Sequence, residues 1–225
     1  MLIVKLRTMA ARSAALGSAL ITALAVLAGP APIASAEPCS DVELLFARGT
    51  SEPPGIGRVG QALADSLRPQ LGGRTLSTYG INYPATYDFF TAADGAVDAA
   101  GRVAYLAQNC PNTRVVLGGY SQGAAIVNML VGLPPVGDRI GDMGSAPPLP
   151  GNLAGNVAAM VGFGNAGAKF GYPLTAAGPP FSGRGIDLCA DGDPICSRGR
   201  NPFAHTHYES SGFIPQAAGF IAGRV

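Results

Sequence analysis

Short apolar runs bounded by Gly and Pro alternate along this chain with stretches of helical spacing. Val42 to Ala47, Leu76 to Tyr83, Arg114 to Gly118, Val157 to Phe163 and Gly185 to Leu188 read as five strands. Val59, Leu63 and Leu67 lie at i, i+4 and i+8, on one face of a helix. Ala92 to Gln108 predicts a second helix, with Val97, Ala100, Ala104 and Ala107 as its inward stripe, and Ala124 to Leu130 a third. A last helix is expected near Ile214 to Gly223. Strands alternating with helices predict an α/β fold: a three-layer sandwich with a central, mainly parallel five-stranded sheet and helices on both faces. In such a sheet, reactive groups gather at the carboxyl ends of the strands. Gly132 to Asn152 and Gly164 to Gly183 read as loops, and the chain shows no internal repeat.

The first 36 residues stand apart from this pattern. Lys5, Arg7 and Arg12 form a basic start, Ala14 to Leu27 is apolar, and Ala34-Ser35-Ala36 supplies an A-x-A cleavage site. These features predict a signal peptide over residues 1–36 and a mature chain starting at Glu37, one domain over 37–225. A secreted protein, free or wall-associated, is therefore expected, with no transmembrane segment after cleavage. Losing three basic residues and no acidic ones takes the formal charge from +1 to −2. Lys and Arg are not clustered, so no nucleic-acid partner is expected.

All four cysteines, Cys39, Cys110, Cys189 and Cys196, lie in the mature part. In a secreted chain an even count implies disulfides. Of the three pairings open to them, Cys39–Cys110 with Cys189–Cys196 is favoured. The second closes a small loop holding Asp191 and Asp193, and the first ties the mature N-terminus to the end of a helix. The spacing lacks paired C-x-x-C knuckles, so no metal site is expected.

Gly119-Tyr120-Ser121-Gln122-Gly123 fits G-x-S-x-G, between a predicted strand and a predicted helix. That setting presents a serine on a sharp turn, where side chains on the flanking glycines would collide. A serine hydroxyl needs a base, and the base an orienting carboxylate. The chain has two histidines, His205 and His207, both after the serine. Asp187, Asp191 and Asp193 lie between serine and histidines and are the candidate orienters.

Three separated motifs carry a resemblance to a known family. Pro111 to Gly123 resembles the elbow signature of the cutinases, Cys189-Ala190-Asp191-Gly192-Asp193-Pro194-Ile195-Cys196 their second signature, and Phe46 to Glu52 their oxyanion-loop motif. The resemblance covers essentially the whole mature chain and is nearer to the actinobacterial cutinase-like esterases than to the fungal enzymes. It implies an α/β-hydrolase-like fold and a serine esterase that needs no cofactor. By position it implies Ser121 as nucleophile, Asp193 as acid and His205 as base, since Tyr208 stands where the family places a tyrosine three residues on. It implies an oxyanion hole from Thr50 and Gln122, and the disulfide pairing favoured above. Thr50 replaces the serine usual in fungal members, and Arg198 stands where they have glycine.

The implied substrates are carboxylic esters of short to medium acyl chains, hydrolysed through an acyl-enzyme by a protein expected to be monomeric. Alternatives within the family are phospholipid hydrolysis and deacetylation of xylan; outside enzymes, a secreted binding or wall-associated protein with an idle triad. Tyr87, Phe89 and Phe90 after the second strand, and Ile195 and Phe203 before the base, are the candidates for an acyl groove. Arg198 and Arg200 are candidates to favour an anionic headgroup, since guanidinium pairs well with phosphate.

Overall fold

A computed structural model describes residues 39–134, 136 and 142–225. The predicted leader, its cleavage site and part of the loop from Gly132 to Asn152 lie outside the described residues. The strands are β1 (Val42–Ala47), β2 (Leu76–Gly80), β3 (Arg114–Tyr120), β4 (Val157–Phe163) and β5 (Gly185–Leu188). They form one sheet in the order β2-β1-β3-β4-β5, every pairing parallel. β1, β3 and β4 are almost wholly buried along their length, as strands covered on both faces must be.

Among the described residues the α-helices are α1 (Gly57–Leu67), α2 (Ala92–Asn109), α3 (Gln122–Leu130), the single turn α4 (Ala166–Lys169) and α5 (Phe213–Ala222). Alternate strand residues feed two cores. Leu45, Val115 and Leu117 pack with α2 and α3 through Ala96, Val103 and Ile126. Leu44, Phe46, Val116 and Val161 pack with α1 and α5 through Leu63, Leu67, Ala217 and Ile221. The three layers expected from the sequence are therefore present.

Three details differ from expectation. β2 stops at Gly80, not Tyr83, because side chains take over its backbone groups: Asn82 N–H donates to Asp98, and Tyr83 C=O accepts from Arg48. β3 runs on past Gly118 to Tyr120, since Gly119 pairs with Ala47 of β1 and Gly162 of β4. The buried face of α2 is Ala92, Gly95, Ala96, Ala99, Val103 and Leu106, whereas Val97 is 63% exposed. Close packing sets that face, since a Cβ on Gly95 would stand 2.5 Å from Ile126 Cδ1.

The chain leaves β1 toward β2 on one side and enters β3 on the other. The β1–β3 boundary is thus the switch point where the loops after neighbouring strands diverge and leave a crevice. Thr50 follows β1 and Ser121 follows β3.

Candidate active site

Ser121 sits at φ 57°, ψ −116°, a left-handed conformation that side chains disfavour, between β3 and α3. Holding it there costs about 1–3 kcal/mol, offset by the surrounding structure. Its N–H donates to Phe163 C=O of β4 at 2.9 Å, and its C=O accepts from Ala124 N–H at 2.9 Å. The flanking glycines permit the turn by close approach: a Cβ on Gly119 would stand 2.2 Å from Gly123 O, and one on Gly123 2.0 Å from Ala47 O.

His205 lies on a 3-10 turn, Pro202–Thr206, opened by the Asn201 side chain, which accepts from Phe203 N–H at 3.1 Å. Its ring is hydrogen-bonded on both sides: Nε2 is 2.8 Å from Ser121 Oγ and Nδ1 2.8 Å from Asp193 Oδ2. The carboxylate only accepts, so it selects the tautomer protonated at Nδ1 and leaves Nε2 to accept from the serine hydroxyl. The Tyr120 ring stacks on the imidazole with centroids 5.2 Å apart. Gly164 leaves room for it, since a Cβ there would meet His205 Cε1 at 2.7 Å.

Asp193 is fully buried, yet three donors serve it: the histidine, Tyr208 OH on Oδ2 at 2.7 Å and Ile195 N–H on Oδ1 at 2.7 Å. Burial pushes its pKa up, but the bonds from His205, Tyr208 and Ile195 outweigh it and hold the carboxyl below the ordinary value of 3.8. Two disulfides join Cys39 to Cys110 and Cys189 to Cys196, the favoured pairing, and the second closes the loop around Asp193. The two sulfurs near the Asp193 carboxylate are thus joined to each other, not held as thiolates for a metal.

The other candidates from the sequence lie elsewhere. His207 is exposed and its Nδ1 faces Phe203 C=O at 2.8 Å. Asp187 accepts from Asn165 Nδ2 and Leu174 N–H, both at 2.6 Å, and Asp191 is exposed.

Thr50 and Gln122 stand together beside Ser121, the threonine hydroxyl donating to Gln122 Oε1 at 3.0 Å. Gln122 is the first residue of α3, so its N–H has no intrahelical acceptor. The Thr50 turn is fixed by Ser51 N–H donating to Ala85 C=O at 2.6 Å and by Gly49 N–H donating to Glu52 Oε2 at 2.5 Å. Ser51, Ala85 and Ser121 are the non-glycine residues at positive φ among those described. Two are bonded to each other beside Thr50, and the third is the serine itself.

A cavity of about 70 Å³ opens on Ser121, Thr50 and Gln122, with Phe89, Ile195, Ala125, Met143 and Ala166 as its apolar walls. Phe89 and Ile195 were expected there. Tyr87, Phe90 and Phe203 were also expected, but they do not line it and are 79%, 60% and 72% exposed. Ala125, Met143 and Ala166 come from three distant segments and carry no motif, so no sequence signal marked them.

A sequence model of the Cutinase family matches residues 38–225. The chain belongs to the cutinase family. A phospholipase, Culp4, of Mycobacterium tuberculosis is 45% identical over 218 residues, covering 96% of this chain and 93% of that protein. The carboxylesterase Culp1 of the same species is 40% identical, covering 93% and 94%. Among solved structures, a Trichoderma reesei cutinase in complex with a phosphonate inhibitor superposes with a TM-score of 0.63 at 32% identity, covering 83% of this chain and 77% of that one. With this membership the chain is a carboxylic ester hydrolase of the serine esterase class, on an α/β-hydrolase-like fold.

Proposed function

We propose that this cutinase-family protein is a secreted esterase that cleaves esters of short to medium acyl chains through an acyl-enzyme on Ser121. The observation that carries the reading is the unbroken path from Ser121 Oγ through both nitrogens of His205 to the buried Asp193. His205 takes the serine proton as Oγ attacks the ester carbonyl, and Asp193 holds the tautomer and stabilises the imidazolium. His205 then returns the proton to the leaving alcohol. Water, deprotonated by the same nitrogen, releases the acid from the acyl-serine.

Backbone N–H groups of Thr50 and Gln122 stabilise the oxyanion, each contributing about 3 kcal/mol to lowering the barrier. The bond between the Thr50 hydroxyl and Gln122 couples the two halves of that hole. The small apolar cavity beside Ser121 takes the acyl chain, and its size favours short ones. Secretion rests on the predicted leader over residues 1–36, with one domain following it, and fits the two disulfides.

The test is hydrolysis of p-nitrophenyl esters from acetate to palmitate by the oxidised mature protein and its Ser121→Ala variant. Activity peaking between butyrate and octanoate, and lost in the variant, is expected. Activity on acetate alone would point to a deacetylase, and a Ser121→Ala protein as fast as its parent would overturn the mechanism. A fluorophosphonate probe that labels the parent and not the variant would exclude an idle scaffold.

The phospholipase name of one relative favours a second substrate reading. Arg198 and Arg200 are exposed on the segment between Cys196 and His205 and would face an anionic headgroup. Equal rates on anionic and neutral lipid esters, unchanged when both arginines are replaced, would remove this reading.

A further inference from the structure

We propose that Arg58 is a positioning residue for ester hydrolysis: its guanidinium ties the loop of Thr50, the residue before Ser121 and the segment bearing His205 into one arrangement. The inference rests on the proposed roles of Ser121 and His205. No sequence motif marked Arg58, the second residue of α1.

Every side of the Arg58 fork is engaged. Nε lies 3.2 Å from Glu52 Oε1, and the Arg58 backbone N–H donates to the same oxygen at 3.1 Å. The other oxygen of Glu52 accepts from Gly49 N–H, directly before Thr50. Nη1 donates to Thr206 C=O, next to His205, and to Glu209 Oε2, both at 2.6 Å. Nη2 donates to Tyr120 OH at 3.2 Å. Tyr120 precedes Ser121, stacks on the His205 ring and donates its hydroxyl to His205 C=O.

These contacts converge from three separate parts of the chain, and each part carries a different reacting or stabilising group. The pairs themselves contribute little to stability, because the Arg58 side chain is 40% exposed and ion pairs at that exposure are screened. Their effect is geometric. A rigid planar fork fixes several acceptors at set angles, which the point charge of a lysine cannot do. Misplacing a reacting group by about 1 Å can cost on the order of a hundredfold in rate.

The experiment compares the parent, Arg58→Lys, Arg58→Ala, Glu209→Gln and Ser121→Ala on p-nitrophenyl butyrate, with the thermal midpoint of each measured. For Arg58→Lys, kcat is expected to fall on the order of tenfold or more, with KM within about twofold. The rate of fluorophosphonate labelling should fall in step, and the thermal midpoint should barely move. Added guanidinium should restore part of the kcat of Arg58→Ala, which a merely structural role does not predict.

If Arg58→Ala does not fold, Arg58→Lys and Glu209→Gln carry the test, the second with a smaller loss of kcat. Folded Arg58 variants with parental kcat, or a loss that only tracks the unfolded fraction, would overturn the inference. A dead Ser121→Ala beside fully active Arg58 variants removes this inference alone. An active Ser121→Ala removes the reading of the site beneath it.

Discussion

The hydroxyl of Tyr208 donates to Oδ2 of Asp193 at 2.7 Å, the same oxygen that faces His205 Nδ1. Tyr208 is almost fully buried, and its hydroxyl also accepts from Ala190 N–H at 2.9 Å. One phenol therefore pins the carboxylate and the backbone of the disulfide loop. Tyr208→Phe leaves Asp193 one donor short and Ala190 N–H without its acceptor. A hydrogen bond to a charged group contributes about 1.5–3 kcal/mol, so the variant should lose roughly 2 kcal/mol in urea unfolding at pH 7. Its kcat should fall as well, but less than that of Asp193→Ala. A stability loss under about 0.5 kcal/mol would show that the phenol is not a support.

The elbow glycines predict a contrast among three alanine variants. Gly119→Ala and Gly123→Ala each push a methyl group to within 2.2 Å of a backbone oxygen, and backbone cannot step aside as a side chain can. Each should lose about 3 kcal/mol or more, or fail to accumulate folded protein. Gly101 lies in α2, exposed, with open space where its Cβ would stand. Gly101→Ala should gain about 0.5–1 kcal/mol from helix propensity. Thermal unfolding of the three proteins checks this, and similar midpoints for all would contradict the close approach.

β1, β3 and β4 were legible in the sequence as largely apolar runs, and the elbow because its residues must be what they are to make the turn. Other features left weaker traces. On α2 both faces are rich in alanine, so periodicity gave little contrast and placed the stripe on Val97 rather than on Ala96 and Val103. Gly119 and Tyr120 read as the start of the turn, though parallel partners on both sides of Gly119 keep it in β3. Tyr87, Phe90 and Phe203 have the character of groove residues, but the cavity wall is set by where loops cross, which residue type does not report. Arg58 shows the same limit: its role lies in contacts to residues 148 and 151 positions away.

Asp193, fully buried, and Asp187, half-buried, should give opposite pH dependence. Burial raises the Asp193 pKa, but its donors outweigh that and leave it lowered. Its contribution to stability is thus full above the unfolded value, about 3.9, and lost as pH falls through the lower folded value. For Asp187 burial wins over the bonds from Asn165 and Leu174, and the pKa is raised. The folded state then holds that proton more tightly, so its contribution fades as pH rises from about 4 through the folded value. Urea unfolding between pH 3 and 7 should show a flatter acid limb in Asp193→Asn and a flatter limb above pH 4 in Asp187→Asn. Identical profiles in both variants and the parent would refute the opposed shifts.

The two disulfides should separate stability from activity. Cys39–Cys110 spans 71 positions and lies where β1 and β3 begin, at the end of the strands away from Ser121. Cys189–Cys196 spans 7 positions and encloses Asp193, whose C=O accepts from Ser197 N–H at 3.1 Å. Loop-closure entropy assigns about 4 kcal/mol to the long link and about 2 kcal/mol to the short one. Replacing Cys39 and Cys110 by alanine should therefore lower the thermal midpoint more, with kcat near the parent's at 25 °C. Replacing Cys189 and Cys196 should lower it less but reduce kcat more, because Asp193 loses the frame that aims it at His205. Midpoints and kcat measured on both double variants decide the matter. If the long link's removal lowers kcat as much as the short link's, the small loop has no special hold on the carboxylate.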